Sequence, residues 1–379
     1  MPTPTPADAG PELYDPVSEL ETPALVVDLD AMDRNVALFT EFAEEHDVRL
    51  RSHVKTHKIP DLAHRQHERS NGGGILCQKP SEAEVMAAGG LDDIYLSYQV
   101  VGERKLDRLV HLSERVESFA TTVDGPGNVL PLQAAAARHD ATVHAVLEVD
   151  PGMGRTGVPL GPEAVEMAEL VDEQPDLALD GIMSYEAHVK SDAETEAELA
   201  RLCADRMDAT QETVDLIEDA GIAVEEVKVG GTATSRYSGT HPVVTEINPG
   251  MYPFNDVGEL RTRHWEVEKA DCAATVIATV ISAPTEDRAV CDAGSKTVSM
   301  DTSRMPVPKH RDDVEYVNYS EEHGWLDTTE VPGGLDVGDR VEFILPHVCT
   351  SINLHDTLVG VRDGRVEEVW DVAARGKVK

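Results

Sequence analysis

The stretch RSHVKTHK, residues 51–58, places two lysines and two histidines within six positions of a chain that has only 11 lysines. The preceding residues are β-rich, which predicts a strand that ends here. A partly buried lysine at a strand end has a lowered pKa and can form a Schiff base with a carbonyl group. Lys55 and Lys58 both qualify, with His53 and His57 beside them. A surface lysine in a loop is the alternative.

The stretch FILPHVCTSINLHD, residues 343–356, carries a histidine and a cysteine two positions apart. We expect a strand here, and residues two apart on a strand share a face. His347 and Cys349 would then present an imidazole and a thiolate together, a pair that suits zinc or a similar metal. The alternative is an edge strand whose cysteine packs as a small core residue.

Short β-rich runs alternate with amphipathic helical runs over most of the chain. Between VRLRSHVK and VVTEINPG the alternation gives eight strands, which predicts a parallel (β/α)8 barrel over residues 32–262. From about Lys269 the runs are strands joined by Gly and Asp turns, which predicts an all-β domain over residues 263–379. The strand ALVVDLD falls within residues 20–31, and residues 1–19 are expected to form a polar arm.

Glycine-containing segments follow the seventh and eighth predicted strands, in VKVGGTATS and NPGMYPF. A (β/α)8 barrel places its chemistry at the C-terminal strand ends, and phosphate sites typically follow strands seven and eight. Glycines there let backbone N–H groups approach an anion closely. The predicted phosphate cradle consists of Gly230, Gly231, Thr232, Gly250 and Met251. Two ordinary glycine turns are the alternative.

Polar side chains also follow the fifth and sixth strands. Arg155, in DPGMGRTGV, is placed to donate hydrogen bonds to an oxygen of a bound ring. Tyr185 and His188, in SYEAH, would form a polar, aromatic pocket wall. A lysine, a phosphate cradle and an arginine at one barrel mouth together predict pyridoxal phosphate (PLP) as the cofactor.

Composition narrows the class of protein. The net charge of −38 is spread along the chain, which excludes a nucleic-acid partner and is typical of a protein adapted to a salty cytoplasm. The five cysteines form no C-x-x-C pair, so a disulfide framework is not expected. No apolar run approaches the roughly 18 residues of a membrane span, and the polar N-terminus does not resemble a signal peptide. We therefore expect a cytoplasmic protein.

The motifs TPALVVDLDAMDRNV, SHVKTHK, DPGMGRTGV, VGGTATS and NPGMYPFND resemble the alanine-racemase-type (fold type III) PLP enzymes, over nearly the whole chain. More narrowly, the chain is similar to the D-serine dehydratase and D-threonine aldolase branch. The resemblance implies that Lys55 holds the cofactor, and that Asn248 and Tyr252 contact it. It implies a metal pair at His347 and Cys349. It also implies a homodimer in which the β domain completes the partner's active site and the opening strand joins the β domain.

Within this branch, H-x-C at the metal pair resembles the zinc-dependent dehydratases, whereas the aldolases have H-x-D. The resemblance thus implies a lyase that turns a D-serine or D-threo-3-hydroxyaspartate type of substrate into an α-keto acid and ammonia, with Zn²⁺ favoured over Mn²⁺ by the thiolate. The alternative is an aldolase that releases glycine and an aldehyde. It needs a second base, for which His53, His57 or His188 could serve. A racemase and a non-catalytic PLP carrier are the remaining alternatives.

Overall fold

The computed structural model describes residues 11–379, and within them the chain separates into two compact units. One unit, called the β unit here, contains residues 11–35 and 253–375. The other, the barrel unit, contains residues 36–252 and 376–379. The polar arm expected over residues 1–19 lies outside the described residues for its first ten positions. No helix within residues 11–379 is long and apolar enough to cross a membrane.

The first strand of the chain, β1 (Ala24–Asp28), belongs to the β unit and is followed by helix α1 (Leu29–Glu45). The barrel strands then follow in order: β2 (Arg49–Leu50), β3 (Ser52–His53), β4 (Ile75–Cys77), β5 (Asp93–Leu96), β6 (Ser118–Val123), β7 (Val143–Asp150), β8 (Val158–Pro159), β9 (Leu177–Ser184), β10 (Glu226–Val229) and β11 (Glu246–Ile247). All pairings between these strands are parallel.

The barrel sheet closes on itself through its first strand. β2 pairs with β11 and β3 pairs with β4, while the remaining strands pair in chain order apart from β8, a short strand beside β7. Because β2 and β3 are two halves of one strand interrupted at Arg51, the barrel has eight main strands. The predicted (β/α)8 barrel with a mostly-β second unit is confirmed.

Helices occupy each interval between the main strands: α2 (Pro60–His67), α3 (Pro80–Ala88), α4 (Glu103–Ser113), α5 (Pro126–His139), α6 (Pro162–Asp172), α7 (Glu196–Asp219) and α8 (Ser235–Ser238). The longest of these helices, α7, begins at Glu196 because Thr195 caps it. The Thr195 hydroxyl accepts from the Glu198 N–H, and the Glu198 carboxylate accepts from the Thr195 N–H.

A cluster of buried charges lies on the strands that close the barrel. The seam cluster consists of Arg49, Arg51, Glu226, Lys228 and Glu246, from β2, the β2–β3 break, β10 and β11. Glu246 accepts from Arg51 Nε at 3.0 Å and from Lys228 Nζ at 3.1 Å. Although burial raises its pKa, these two cations lower the pKa of Glu246 to about 2. The carboxylate is therefore ionised, so each buried charge has a partner of opposite sign.

The β unit contains the remaining strands: β12 (Ala274–Thr285), β13 (Arg288–Cys291), β14 (Val307–Pro308), β15 (Glu315–Tyr319), β16 (Gly324–Asp327), β17 (Arg340–Ile344), β18 (Thr357–Arg362) and β19 (Arg365–Asp371). β1 lies in the middle of this sheet, antiparallel to β12 and parallel to β18. Two short helices, α9 (Val257–Thr262) and α10 (Val348–Ile352), complete the unit.

Candidate active site

The two candidate lysines have different surroundings. Strand β3 ends at His53, and Lys55 lies in the single 3₁₀ turn that follows, Val54–Thr56. Lys58 adopts a left-handed backbone conformation (φ 61°), and its Nζ lies 3.3 Å from the buried Glu82 carboxylate. The Lys55 Nζ instead lies 3.4 Å from Gln78 Oε1, a neutral acceptor at the end of the neighbouring strand. Lys55 is therefore the lysine whose amine is not held in an ion pair with Glu82.

His53 is buried next to Lys55. Its Nδ1 lies 2.9 Å from the Leu76 carbonyl oxygen and its Nε2 lies 2.9 Å from Gln78 Oε1. The Gln78 amide nitrogen donates to the Ser97 carbonyl, which fixes the direction of the amide. Burial, followed by the positive charge of Lys55, lowers the pKa of His53 well below its usual value. A neutral His53 has one ring proton for two oxygen neighbours, so it can donate to only one of them.

His57 belongs to a buried chain of hydrogen bonds. Its Nδ1 accepts from the Ile59 N–H, so its Nε2 carries the proton and donates to Gln66 Oε1 at 2.9 Å. The Gln66 amide donates to Tyr252 Oη, which is also hydrogen bonded to Ser52 Oγ. Burial lowers the pKa of His57 to about 4 and raises the pKa of Tyr252 to about 12. Both residues thus tie the lysine-bearing turn to the core, and Tyr252 packs against Phe39.

The predicted phosphate cradle has glycines at close backbone approaches. A Cβ on Gly231 would lie 3.3 Å from Tyr185 Oη, and one on Gly250 would lie 3.1 Å from Thr56 Oγ1. The N–H groups of Gly230, Gly231 and Met251 donate to Glu186, Thr234 and Thr232 respectively. These bonds hold both loops in shape. A Cβ would crowd these neighbours, so the two glycines allow their loops to approach Tyr185 and the turn that carries Lys55 closely.

The side chains of Arg155 and Tyr185 are in contact. The Arg155 guanidinium carbon lies 4.8 Å from the centre of the Tyr185 ring, and its Nη2 lies 3.5 Å from Glu148. Glu148 also accepts from Thr156 Oγ1 at 2.7 Å. Arg155 is half-exposed, so its remaining donors are accessible to a ligand.

Asn248 has a buried acceptor that no group in the described part of the chain uses. Its Nδ2 donates to Glu246 at 3.0 Å, and because the ionised Glu246 only accepts, this contact fixes the direction of the amide. The Oδ1 atom of Asn248 is buried and has no hydrogen-bond partner among residues 11–379. An unsatisfied buried acceptor is costly, so this oxygen is suited to a donor on a bound group such as a protonated ring nitrogen.

The expected strand at His347 and Cys349 is wrong. β17 ends at Ile344, and Pro346, which has no N–H to donate, precedes an N-cap at His347 and the short helix α10. His347 and Cys349 are nevertheless hydrogen bonded to each other through their side chains. The two side chains meet because His347 and Cys349 lie at the N-terminus of helix α10, and not because they share a face of a strand.

A carboxylate that the sequence did not point to orients His347. Its Nδ1 lies 2.7 Å from Asp301 Oδ2, and Asp301 Oδ1 accepts from Ser299 Oγ and Thr350 Oγ1. Although burial opposes it, hydrogen bonds to Cys349 and Asp301 raise the pKa of His347 to about 9. Within residues 11–379, no group of three or more His, Cys, Asp or Glu side chains is arranged to hold a metal ion. The pair would therefore leave most coordination positions to other ligands.

Sequence reasoning also passed over Gln78 and Glu186. Gln78 contacts both His53 and Lys55, and Glu186 accepts from Gly230 N–H and Ser238 Oγ. Burial raises the pKa of Glu186. Glu186 lies inside the SYEAH motif, so its position after a strand was a usable signal. Gln78 likewise directly follows a barrel strand, β4, but a glutamine side chain is less reactive and so did not suggest a role.

Two family models together cover most of the chain. The "Alanine racemase, N-terminal domain" model matches residues 27–256, and the "Putative serine dehydratase domain" model matches residues 273–361. The chain belongs to the alanine-racemase-type family of PLP enzymes. The match places the lysine, the glycine cradle and Asn248 within the racemase-type model, and the His347–Cys349 pair within the other.

Relatives that resemble the whole chain are lyases. The chain is 36% identical to the 3-hydroxy-D-aspartate aldolase of Paracoccus denitrificans (strain Pd 1222), over 95% of this chain and 93% of that protein. It is similar to the crystal structure of D-threonine aldolase from Filomicrobium marinum, with a TM-score of 0.91, 35% identity and coverage of 98% and 100%. D-threo-3-hydroxyaspartate dehydratase from Delftia sp. HT23 matches with a TM-score of 0.83, 25% identity and coverage of 94% and 98%. These whole-chain relatives, two aldolases and a dehydratase, are all lyases.

Proposed function

We propose that this protein is a PLP-dependent lyase that acts on D-β-hydroxy amino acids, and that it cleaves the Cα–Cβ bond to release glycine and an aldehyde. Whole-chain similarity supports cleavage, because the two aldolases are 35–36% identical to this chain and the dehydratase is 25% identical. The sequence analysis favoured dehydration on the strength of Cys349 and left cleavage as the alternative. The observation that carries the lyase proposal is that Lys55, whose amine lies near the neutral Gln78, shares a chain unit with the glycine cradle and the unsatisfied Asn248 oxygen.

The residues present fit the cofactor. Lys55 would hold it covalently, Gly231, Thr232 and Gly250 would surround its phosphate, and Asn248 Oδ1 would accept from its ring nitrogen. Arg155 would donate to its ring oxygen. When bound, PLP supplies an electron sink for the negative charge that develops at Cα as the bond breaks.

Protein groups must move two protons during cleavage. Lys55, as an ammonium group while it does not hold the cofactor, would deliver a proton to Cα of the product glycine and be left as the neutral amine. The β-hydroxyl must lose a proton, and the three histidines considered from the sequence differ in readiness for this. His53 and His57 have both ring nitrogens within hydrogen-bonding distance of protein groups. His188 has a buried Nδ1 without a partner among the described residues, so we propose His188 as this base.

His347 and Cys349 would hold a divalent metal, with Asp301 fixing the ring of His347 so that Nε2 faces the ion. The nitrogen and sulfur donors suit zinc, with manganese or another divalent ion as the alternative. Dehydration is the second candidate function, because a thiolate at position 349 resembles the dehydratases of the branch. We also propose a homodimer in which the β unit completes the partner's active site, and a protein adapted to high salt.

Product analysis tests the proposal. Purified protein loaded with PLP and Zn²⁺ in high salt is offered D-threonine, D-serine and 3-hydroxy-D-aspartate, and glycine with aldehyde is measured against ammonia with keto acid. Glycine and aldehyde support cleavage, whereas ammonia and keto acid establish the second candidate. Lys55→Ala removes the absorbance of the lysine-linked cofactor if the assignment is right. Lys377→Ala, in the exposed C-terminal tail, is the matched control.

A further inference from the structure

Arg206 on α7 is a partly buried arginine whose side chain has no carboxylate partner among residues 11–379, and its Nε is buried without a hydrogen bond. The positions three and four residues away carry Leu202, Cys203, Ala209 and Thr210, so the helix itself supplies no ion pair. The chain has 71 acidic and 33 basic residues. An unpaired cation in such an acidic protein is an unused binding group.

His188 lies beside Arg206. A Cβ built on Gly152 would lie 3.5 Å from His188 Nε2 and 3.8 Å from Arg206 Nη1, so the two side chains meet at the same loop. The ring Nδ1 of His188 also has no partner among the described residues. The nearby Asp150 carboxylate accepts from the N–H groups of Gly152, Met153 and Gly154, so it is committed to the loop.

The two loops that bring these groups together also form the wall of the cofactor pocket. Gly152 and Arg155 belong to the loop after β7, and Tyr185 and His188 belong to the segment after β9. Arg155 contacts Tyr185, and Tyr185 lies beside Gly231 in the phosphate cradle. A substrate held next to Tyr185 and Arg155 would therefore lie beside the two chain segments that also carry His188 and Gly152, where Arg206 is found.

We propose that Arg206, with His188 beside it, binds a second carboxylate on the β-carbon of the substrate. A guanidinium presents paired N–H donors that match the two oxygens of a carboxylate. The substrates selected are then hydroxy amino dicarboxylates, in preference to D-serine or D-threonine. The inference rests on the proposed function, since the hydroxyl that faces His188 and the carboxylate that faces Arg206 share one carbon.

The test compares Arg206→Gln with Arg201→Gln. Arg201 is an exposed arginine of the same helix that pairs with Asp205 at 2.8 Å, so its replacement removes the same charge without touching the site. For each PLP-loaded protein, kcat and KM are measured with 3-hydroxy-D-aspartate and D-threonine at one ionic strength. Binding of the unreactive analogues D-aspartate and D-alanine is measured by calorimetry.

Wild type should prefer D-aspartate over D-alanine, and Arg206→Gln should reduce that preference about 10- to 100-fold, mainly through KM in the turnover assay. Arg201→Gln should keep the wild-type preference. A holoenzyme that turns over both substrates, but whose preference is unchanged by Arg206→Gln, overturns the inference alone. A protein that converts neither substrate overturns the proposed function instead.

Discussion

Replacing His57 by asparagine should make the protein less sensitive to acid. His57 is fully buried, and burial lowers its pKa to about 4, against about 6.5 in an unfolded chain. Above pH 6.5 the ring is neutral in both states and does not affect the pH dependence. As the pH falls from 6.5 to 4, the unfolded chain takes up a proton that the folded protein excludes. Stability is therefore lost, by ~3 kcal/mol over the whole range.

Asparagine keeps part of the local structure, because its carboxamide oxygen can accept from the Ile59 N–H as His57 Nδ1 does. The variant has no titrating ring, so its free energy of unfolding should fall less steeply with acid than that of wild type. The difference between the two curves should grow by ~3 kcal/mol between pH 7 and pH 4. Urea unfolding at fixed salt, repeated across this range, measures it.

His144→Asn provides the control. A hydrogen bond to Asp180 raises the pKa of His144, so this residue stabilises the fold at low pH and its contribution is lost as the pH rises. Replacing His144 should therefore leave unchanged the loss of stability that His57 causes as the pH falls from 6.5 to 4. Parallel curves for wild type and His57→Asn between pH 6.5 and 4 would refute the argument that the buried ring excludes a proton.

Four further outcomes are expected. Asp301→Ala should weaken Zn²⁺ binding about 10- to 100-fold by freeing the His347 ring, and Asp301→Asn should restore part of that affinity. Isothermal titration with Zn²⁺ measures the affinity, and an unchanged PLP content shows that the rest of the site is intact. Asn248→Leu should raise the dissociation constant of PLP about tenfold in a fluorescence titration, because the ring nitrogen loses its acceptor. The variants Lys55→Ala and Cys349→Ala should each be inactive alone. A mixture of the two that is refolded together should regain about a quarter of wild-type activity if each active site uses residues from both chains of a dimer, and none if each site uses one chain. The unfolding temperature should rise with KCl concentration, since salt screens the repulsion of a −38 chain; a decrease would argue against adaptation to salt.

The barrel was predictable because parallel strands buried on both faces have near-continuous apolar runs. β7 is an example, with six of its eight residues buried. The opening strand β1 has the same pattern, and only its partners β12 and β18 place it in the β unit. Local pattern thus identifies strands well and assigns them to a sheet poorly, since the partner of β1 lies about 250 residues away.

Without the family resemblance, the choice between the two lysines depends on a distant contact. Lys55 and Lys58 have the same neighbours in sequence, and Glu82, which pairs with Lys58, comes 24 residues later on another helix. His347 was expected on a strand because its flanking residues are apolar. The sequence shows Pro346, but whether this proline ends the strand depends on where the sheet ends, which the sequence does not show. Asp301 was not considered, because nothing in its local sequence separates it from 70 other acidic residues.

The seam cluster has a consequence for how the chain folds as it is made. Arg51 is separated from its partner Glu246 by 195 positions, and Lys228 meets Glu246 only when β11 is present. Ribosomes add residues from the N-terminus, so Arg51 and its nearer partner Asp93 emerge long before its second partner, Glu246. The nascent barrel cannot close until residue 247 is released, because β11 is the strand that pairs with β2. Chaperone recruitment during translation should be greatest in that interval, and a stall placed before residue 246 should leave a protease-sensitive chain.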